Sequence, residues 1–407
     1  MTASMIEHSE QAILRPRPLA QRAISFQSSI WQEIDQLAER YPEAIYFGSG
    51  APAPDLLPVK RLQAAAAETW STADHFLGYG ETHGYRPLRE LISRRMGHQG
   101  MDVDPANVLI TAGSQQAIDL VAKLFLDPGD LIVVEGPTYP GAMQAFDACE
   151  ARYLTIPVDE DGLNVDALAL ALDQLDQMPK LIYTIPTFQN PSGATMPLDR
   201  REQLLALARD RQIVVVEDDP YSEIFFDQPP EPALRALDEN VIYLGTFSKT
   251  IAPGFRVGWV VAPPDLISML LLAKEAADIH SDRTIMRTVY HAAEGFLDQH
   301  VEHTRQEYRE RRDILLAGLE EHMPEGTHWS RPGGGFFVWV TLPAGIDSET
   351  FMPFAAERGV ILLPSACFYP DHDPGSSIRL SFTGLTPALL TEGARRLGLA
   401  VREFMER

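Results

Sequence analysis

The chain is 407 residues long, 45% hydrophobic and 22% charged, with 34 Lys and Arg against 57 Asp and Glu, a formal charge of −23. Charge of that sign repels nucleic-acid phosphates and argues against a DNA or RNA partner. The longest apolar runs, LIVV at 131–134 and IVVV at 213–216, fall far short of the ~18 residues that span a bilayer. No basic leader precedes an apolar stretch, and Cys149 and Cys367 make neither a disulfide framework nor zinc spacing, so a cytoplasmic chain is expected.

Residues 1–20 are polar, contain Pro16 and Pro18, and read as a mobile arm. Between Ser28 and Tyr41, Ile30, Ile34, Leu37 and Ala38 fall on one helical face, with Ser28 or Ser29 available as the cap. Gly and Pro content makes 48–58 a loop. From Gln63 to Val260, helical periodicity alternates with short β-branched strands: DLVAKLFL leads to LIVVEG, AMQAFDACEA to RYLTIPV, REQLLALARDRQ to IVVVED, and VIYLGTF follows. Strands of this kind between helices indicate a parallel sheet covered on both faces. Past Ala262 long helices run to Glu321. FFVWV, VILLP and IRLSFT then supply the strands of an α+β unit that a last helix closes. The expected organisation is an N-terminal arm, helix and loop (1–62) joined to the small unit, a large α/β domain (63–285), and a small C-terminal domain (286–407).

In open α/β sheets ligands bind beyond the carboxyl ends of the strands, and that is where the chemically suggestive residues fall. TAGSQQAID (111–119) is a small-residue turn feeding a helix, and its N–H groups at Ser114 and Gln115 suit a phosphate, although alone it reads more readily as a plain helix cap with Ser114 as N-cap. Tyr139 in EGPTYP could stack on a planar ring; Asn190 in PTFQNPSG sits between turn residues. Glu217, Asp218 and Asp219 crowd one strand end and repel one another unless a cation faces them. Lys249 in TFSKT lies between Phe247 and Ile251, where partial desolvation lowers its pKa and frees a nucleophilic amine, and Arg256 follows seven residues on. Together these match what pyridoxal phosphate requires: an amine for the imine, an acid for the pyridine nitrogen, and donors for the phosphate. Other candidates carry less. His300 and His303 lack the companions of a metal site, DEDGLNVD (159–166) lacks the closing Glu of a calcium loop, and GGGFF (333–337) is a turn into a strand. No metal is expected.

Over residues 24–404 the chain resembles the fold-type I, class I/II aminotransferases, and most of all their 2-aminoadipate/aromatic branch. The resemblance implies a mainly parallel seven-stranded sheet flanked by helices, with a smaller α+β domain. It implies Lys249 as the Schiff-base lysine, and Ser114, Gln115, Thr246, Ser248 and Arg256 around the cofactor phosphate. Tyr139 would stack on the ring, and Asn190 and Tyr221 would reach its phenolic oxygen. The Asp-x-x-Tyr spacing selects Asp218 for the pyridine nitrogen, leaving Glu217 and Asp219 as neighbours. Tyr79 resembles the tyrosine that crosses a homodimer interface to the partner's phosphate, so two shared active sites are implied. Arg379 in SIRLSF resembles the arginine that grips the substrate α-carboxylate, with Gly50 lining the same pocket.

The chain also departs from that family. Where members taking acidic side chains often carry an Arg on the N-terminal helix, QSSIWQEI has Gln32 with Trp31 beside it, and a neutral amide cannot pair with a distal carboxylate as Arg does. Ser365 stands where Gly is common, and DIHSDRT (278–284) is unusually charged. The expected activity is transamination between an L-amino acid, neutral or aromatic in side chain, and a 2-oxo acid. The same cofactor could alternatively support cyclisation, elimination, decarboxylation or oxidation of a specialised amino acid. A cofactor-sensing regulator of this fold would carry a winged-helix domain of ~60 or more residues. Only about 25 residues precede the resemblance, so an enzyme is expected.

Overall fold

The computed structural model describes residues 20, 22, 29–72, 75–371 and 375–407. The arm at 1–19 and the Ser28 cap lie outside the described residues. The first helix, α1 (Ser29–Arg40), buries Ile30, Ile34 and Leu37, the face its periodicity predicts. A short strand β1 (Ile45–Tyr46) and the helices α2 (Val59–Trp70) and α3 (Arg86–His98) lead into the large sheet.

That sheet is built from β2 (Val108–Thr111), β3 (Leu131–Gly136), β4 (Arg152–Asp159), β5 (Gly162–Leu163), β6 (Leu181–Thr184), β7 (Val214–Asp219), β8 (Ile242–Thr246) and β9 (Gly258–Val261). Between them run α4 (Ser114–Phe125), α5 (Pro140–Asp147), α6 (Val165–Leu172), α7 (Leu198–Asp210) and the single-turn α8 (Leu234–Leu237). The strand order is β2-β9-β8-β7-β6-β3-β4-β5. Seven strands were expected; the eighth is the two-residue β5, which folds back antiparallel on the end of β4. β9 is antiparallel to both β2 and β8, while β8, β7, β6, β3 and β4 pair in parallel.

Alternation along each strand supplies both faces with apolar side chains. Ile132, Val134, Tyr183, Val216 and Leu244 face α4, α5 and α9 (Pro264–Asp278). Val133, Ile182 and Val215 face α6 and α7. Val108, Ile110, Tyr243 and Val261 face α3 and α10 (Arg283–Ala293). The expected boundary at residue 285 falls inside α10, whose Met286, Val289 and Ala293 enter this last cluster with Leu297 and Val301 of α11 (Leu297–His322).

The smaller unit gathers β10 (His328–Trp329), β11 (Phe337–Thr341), α12 (Ser348–Glu357), β12 (Val360–Ile361), β13 (Leu363–Pro364), β14 (Ser377–Ser381) and α13 (Pro387–Met405). Four strands pair antiparallel in the order β10-β11-β14-β13, and β12 pairs in parallel with β1. One core holds Ile30 and Ile34 of α1 together with Tyr308, Phe351 and Leu397, so the N-terminal helix packs as part of this unit.

Candidate active site

The parallel strands all end at one edge of the sheet. Ser114 and Gln115 follow β2 there, Tyr139 follows β3, Asn190 follows β6, Asp218 sits at the end of β7, and Ser248 and Lys249 follow β8. Arg256 reaches the same edge by the opposite route, because β9 runs antiparallel and its start lies there. All of them line one cavity of about 380 Å³, with Gly50, Thr246, Tyr221 and Arg379.

Lys249 is one of five lysines in the chain. Its Nζ donates to the Gly50 carbonyl at 2.8 Å and lies 5.8 and 5.7 Å from the ring centres of Tyr221 and Phe336. Desolvation, then the positive charge of Arg379, pull the amine down to about 8, with Asp218 opposing. Lys274 is a useful contrast. It too is buried, but its Nζ bonds both carboxylate oxygens of Asp278 at 2.7 Å. Burial lowers that amine as well, but the Asp278 carboxylate opposes it through two direct bonds, whereas the Lys249 Nζ bonds only a carbonyl.

The three acids at the end of β7 separate by strand alternation. Glu217 accepts the N–H groups of Leu234 and Arg235 at 3.0 and 2.9 Å. Asp219 accepts the Tyr243 hydroxyl and the Ser222 N–H, each at 2.9 Å. Asp218 points to the other face, where Tyr183 donates to its Oδ2 at 2.7 Å. Its Oδ1 is buried without a partner in the chain. Burial raises the Asp218 carboxyl to about 7, against the Tyr183 bond. The acid that lines the cavity is therefore the one with an unanswered oxygen.

Opposite lies a donor-rich cradle. α4 begins at Ser114 after Gly113, whose φ of +78° is left-handed. The unpaired N–H groups of the first helical turn face an anion site in the usual way. Thr246 Oγ1 pairs with Ser248 Oγ at 2.9 Å and accepts the Ser248 N–H at 3.0 Å. A Cβ on Gly258 would stand 2.6 Å from Gly113 C and from Ser114 N, so only glycine lets β9 run beside this turn. Tyr139 donates to Gln115 Oε1 at 3.3 Å, which fixes its ring at the cavity wall.

Arg379 enters from β14. Its Nη1 donates to Asn190 Oδ1 at 3.0 Å and its Nη2 to the Gly48 carbonyl at 2.7 Å; Nε has no partner. Phe337 lies under the guanidinium, 4.1 Å from Cζ to ring centre, and burial lowers the group to about 10. With Oδ1 engaged, the Asn190 amide turns its NH2 end elsewhere as a donor.

Two expected residues stand apart. Gln32 is exposed on α1 and does not line the cavity; Trp31 does. Tyr79 is 85% exposed and does not line the cavity, its carbonyl and that of Gly78 held by Arg283 Nη1 at 3.0 and 2.6 Å. Ser365 is buried, bonded to Ser348 Oγ at 3.0 Å and accepting the Gly375 N–H at 2.9 Å. In the charged stretch, Asp278 pairs with Lys274 and Asp282 caps α10. His300 stacks on Phe296, 5.3 Å between ring centres. Tyr183, bonded to Asp218 behind the cavity, is a site residue that the sequence does not single out, while Trp31, expected as an apolar wall beside Gln32, lines the cavity without it.

The pattern of the family "aminotransferase class I and II" matches residues 42–397. The chain belongs to this family. It is similar to an aromatic-amino-acid aminotransferase of Thermococcus litoralis, 39% identical over 95% of each chain. It is also similar to a 2-aminoadipate transaminase of Thermus thermophilus, 38% identical over 93% of this chain and 95% of the other. Among solved structures, a kynurenine aminotransferase of Pyrococcus horikoshii, in complex with PMP, superposes with a TM-score of 0.91 at 40% identity, covering 96% and 98% of the two chains. The aminotransferase is thus a fold-type I enzyme dependent on pyridoxal phosphate. Its cavity fits that cofactor. An orphaned carboxylate oxygen, a deprotonation-prone amine and a helix N-terminus with two hydroxyls and an arginine occur together.

Proposed function

We propose that the aminotransferase moves an amino group between a neutral or aromatic L-amino acid and a 2-oxo acid, working as a cytoplasmic homodimer. The observation that carries the reading is the pairing, in one cavity, of the lowered Lys249 amine with the unpartnered Asp218 Oδ1. Bound pyridoxal phosphate supplies an electrophilic carbonyl and a ring that takes up charge when the amino acid loses its Cα proton. Lys249 Nζ would hold the cofactor covalently and, once freed, would take the proton from the substrate Cα as general base and deliver it as general acid to the carbon that carried the cofactor's carbonyl. Asp218 Oδ1 would accept from the pyridine N–H and keep that nitrogen cationic, while Tyr183 holds the carboxylate in place. Ser114, Gln115, Thr246, Ser248 and Arg256 bind the phosphate. Tyr139 would pack on the ring, and Asn190 and Tyr221 would donate to its phenolic oxygen. Arg379 binds the substrate α-carboxylate, beside Gly50.

Side-chain preference rests on α1. Trp31, with Ile185 and Phe337, lends the cavity apolar walls. Among the described residues its cations are Lys249, Arg256 and Arg379, each already engaged in the roles above. An acidic side chain would lose solvation there without a matching charge, a cost on the order of 1–3 kcal/mol, or roughly ten- to hundredfold in favour of neutral donors. A panel of phenylalanine, leucine, glutamine and 2-aminoadipate, compared by kcat/KM with and without 2-oxoglutarate, tests this. Neutral donors should lead and turnover should need the acceptor. 2-Aminoadipate ahead by about tenfold or more would contradict the side-chain reading, and acceptor-independent product would contradict transamination.

A further inference from the structure

Glu135 closes β3 with no solvent exposure, and its hydrogen-bond donors are all neutral. Oε1 accepts the Thr184 hydroxyl at 2.5 Å and the Ile185 N–H at 3.1 Å, and Oε2 accepts Gln189 Nε2 at 2.9 Å. Burial raises its carboxyl to about 7, against these bonds. A buried acid with no cation is costly unless its oxygens are fully used, and here they are used to fix a loop. Gln189 Nε2 also donates to the Pro137 carbonyl at 2.6 Å, and Gln189 Oε1 accepts the Ser192 N–H at 2.8 Å. The Gln189 backbone closes the same loop, its N–H donating to Ala194 O at 2.9 Å and its carbonyl accepting the Gly193 N–H at 2.7 Å. The next residue is Asn190, which holds Arg379.

We propose that Glu135 is a positioning residue for the substrate: through Gln189 it fixes Asn190, and through Asn190 the plane of the Arg379 guanidinium. The Arg379 guanidinium has two hydrogen-bond anchors, Asn190 Oδ1 and the Gly48 carbonyl, besides the Phe337 ring beneath it, and its Nε is unpaired. Gly48 belongs to the N-terminal loop, so the contact that ties the guanidinium to the large sheet is Asn190. A bidentate grip on a carboxylate depends on that plane. The proposal rests on Arg379 being the α-carboxylate anchor.

Glu135→Gln keeps the shape but must place an NH2 against either the Ile185 N–H or Gln189 Nε2, so one donor loses its acceptor whichever way the amide turns. Gln189→Met removes the same link from the other side at similar volume. Each variant, as holoenzyme, is measured for KM and kcat with the preferred donor, for cofactor dissociation constant by fluorescence, and for Tm; Arg379→Lys runs in parallel. Each should raise KM about tenfold, the value of one buried hydrogen bond, with cofactor affinity falling by less, about threefold or under, because Asn190 is only one of the groups that would hold the cofactor. The double variant should add less than about twofold, since both changes break one link. Unchanged KM with a lowered Tm in the variants that fold would overturn the proposal and leave Glu135 a purely structural acid. So would cofactor affinity falling in step with KM. If Arg379→Lys itself left KM unchanged, the anchor reading would fail and take the proposal with it; a raised KM there with unchanged KM in the other two sinks the proposal alone.

Discussion

Consecutive carboxylates at the end of β7 have three different environments because a strand turns successive side chains to opposite faces. Glu217 and Asp219 are satisfied by protein donors; Asp218 keeps one oxygen for the cavity. Asp218→Asn should therefore lower kcat by about 100-fold or more, the usual scale for losing one key electrostatic group, whereas Asp219→Asn should cost much less. Comparable losses in the two variants would show that the wrong carboxylate has been assigned. The same substitution should stabilise the cofactor-free protein. The folded-state pKa of Asp218 is raised from 3.8 to about 7, so the folded chain holds a proton that the unfolded chain has released between those values. Stability falls as pH rises through that window, and above pH 7 the buried charge is felt in full. The gain in Tm from Asp218→Asn should be largest at pH 8 and shrink toward pH 4; a gain independent of pH would contradict the assignment. The strand-end positions of Lys249 and Asp218 were legible in the sequence because they are local, and the resemblance singled out Asp218 among its acidic neighbours. Tyr183, 35 positions away, was not. Which oxygen stays free depends on which side chains reach it across the sheet, and no local pattern records that.

At the scale of elements, helix periodicity held more than was taken from it. Ile30 and Ile34 point inward, and Gln32 lies two residues from each, about 200° around the helix at 3.6 residues per turn. Its exposure follows from that count, and Trp31, nearer the buried face, lines the cavity instead. The direction of β9 was not legible at all. A four-residue apolar strand reads alike in either direction, yet only the antiparallel run puts Arg256 beside the N-terminus of α4. The closeness of that approach makes a prediction. In Gly258→Ala the new Cβ meets backbone at 2.6 Å rather than a movable side chain. We expect a loss of about 1–3 kcal/mol of stability and cofactor affinity weakened about tenfold or more, since the N–H groups of the cradle must shift. Wild-type cofactor affinity in a folded Gly258→Ala would show that the cradle does not depend on this contact.

For the whole molecule, the α/β order and the change of texture after Ala262 were readable from periodicity. The extension of the large core through α10 into α11 was not, because an amphipathic helix carries no label for the unit it covers. Tyr79 is 85% exposed, and in the proposed homodimer it would serve the partner's site. Tyr79→Phe should weaken cofactor binding by roughly fivefold to tenfold, one hydrogen bond of about 1 kcal/mol, without lowering Tm. A fully active monomer by sedimentation would contradict the shared site. The central claim, that the Lys249 amine carries the cofactor, is tested most directly by borohydride reduction of the holoenzyme and peptide mapping over all five lysines. Lys274 is the internal control, a buried amine whose Nζ is bonded by the Asp278 carboxylate. The account predicts the reduced pyridoxyl group on Lys249 alone, and none in Lys249→Ala; the label on Lys274 or any other lysine of the native enzyme would contradict it.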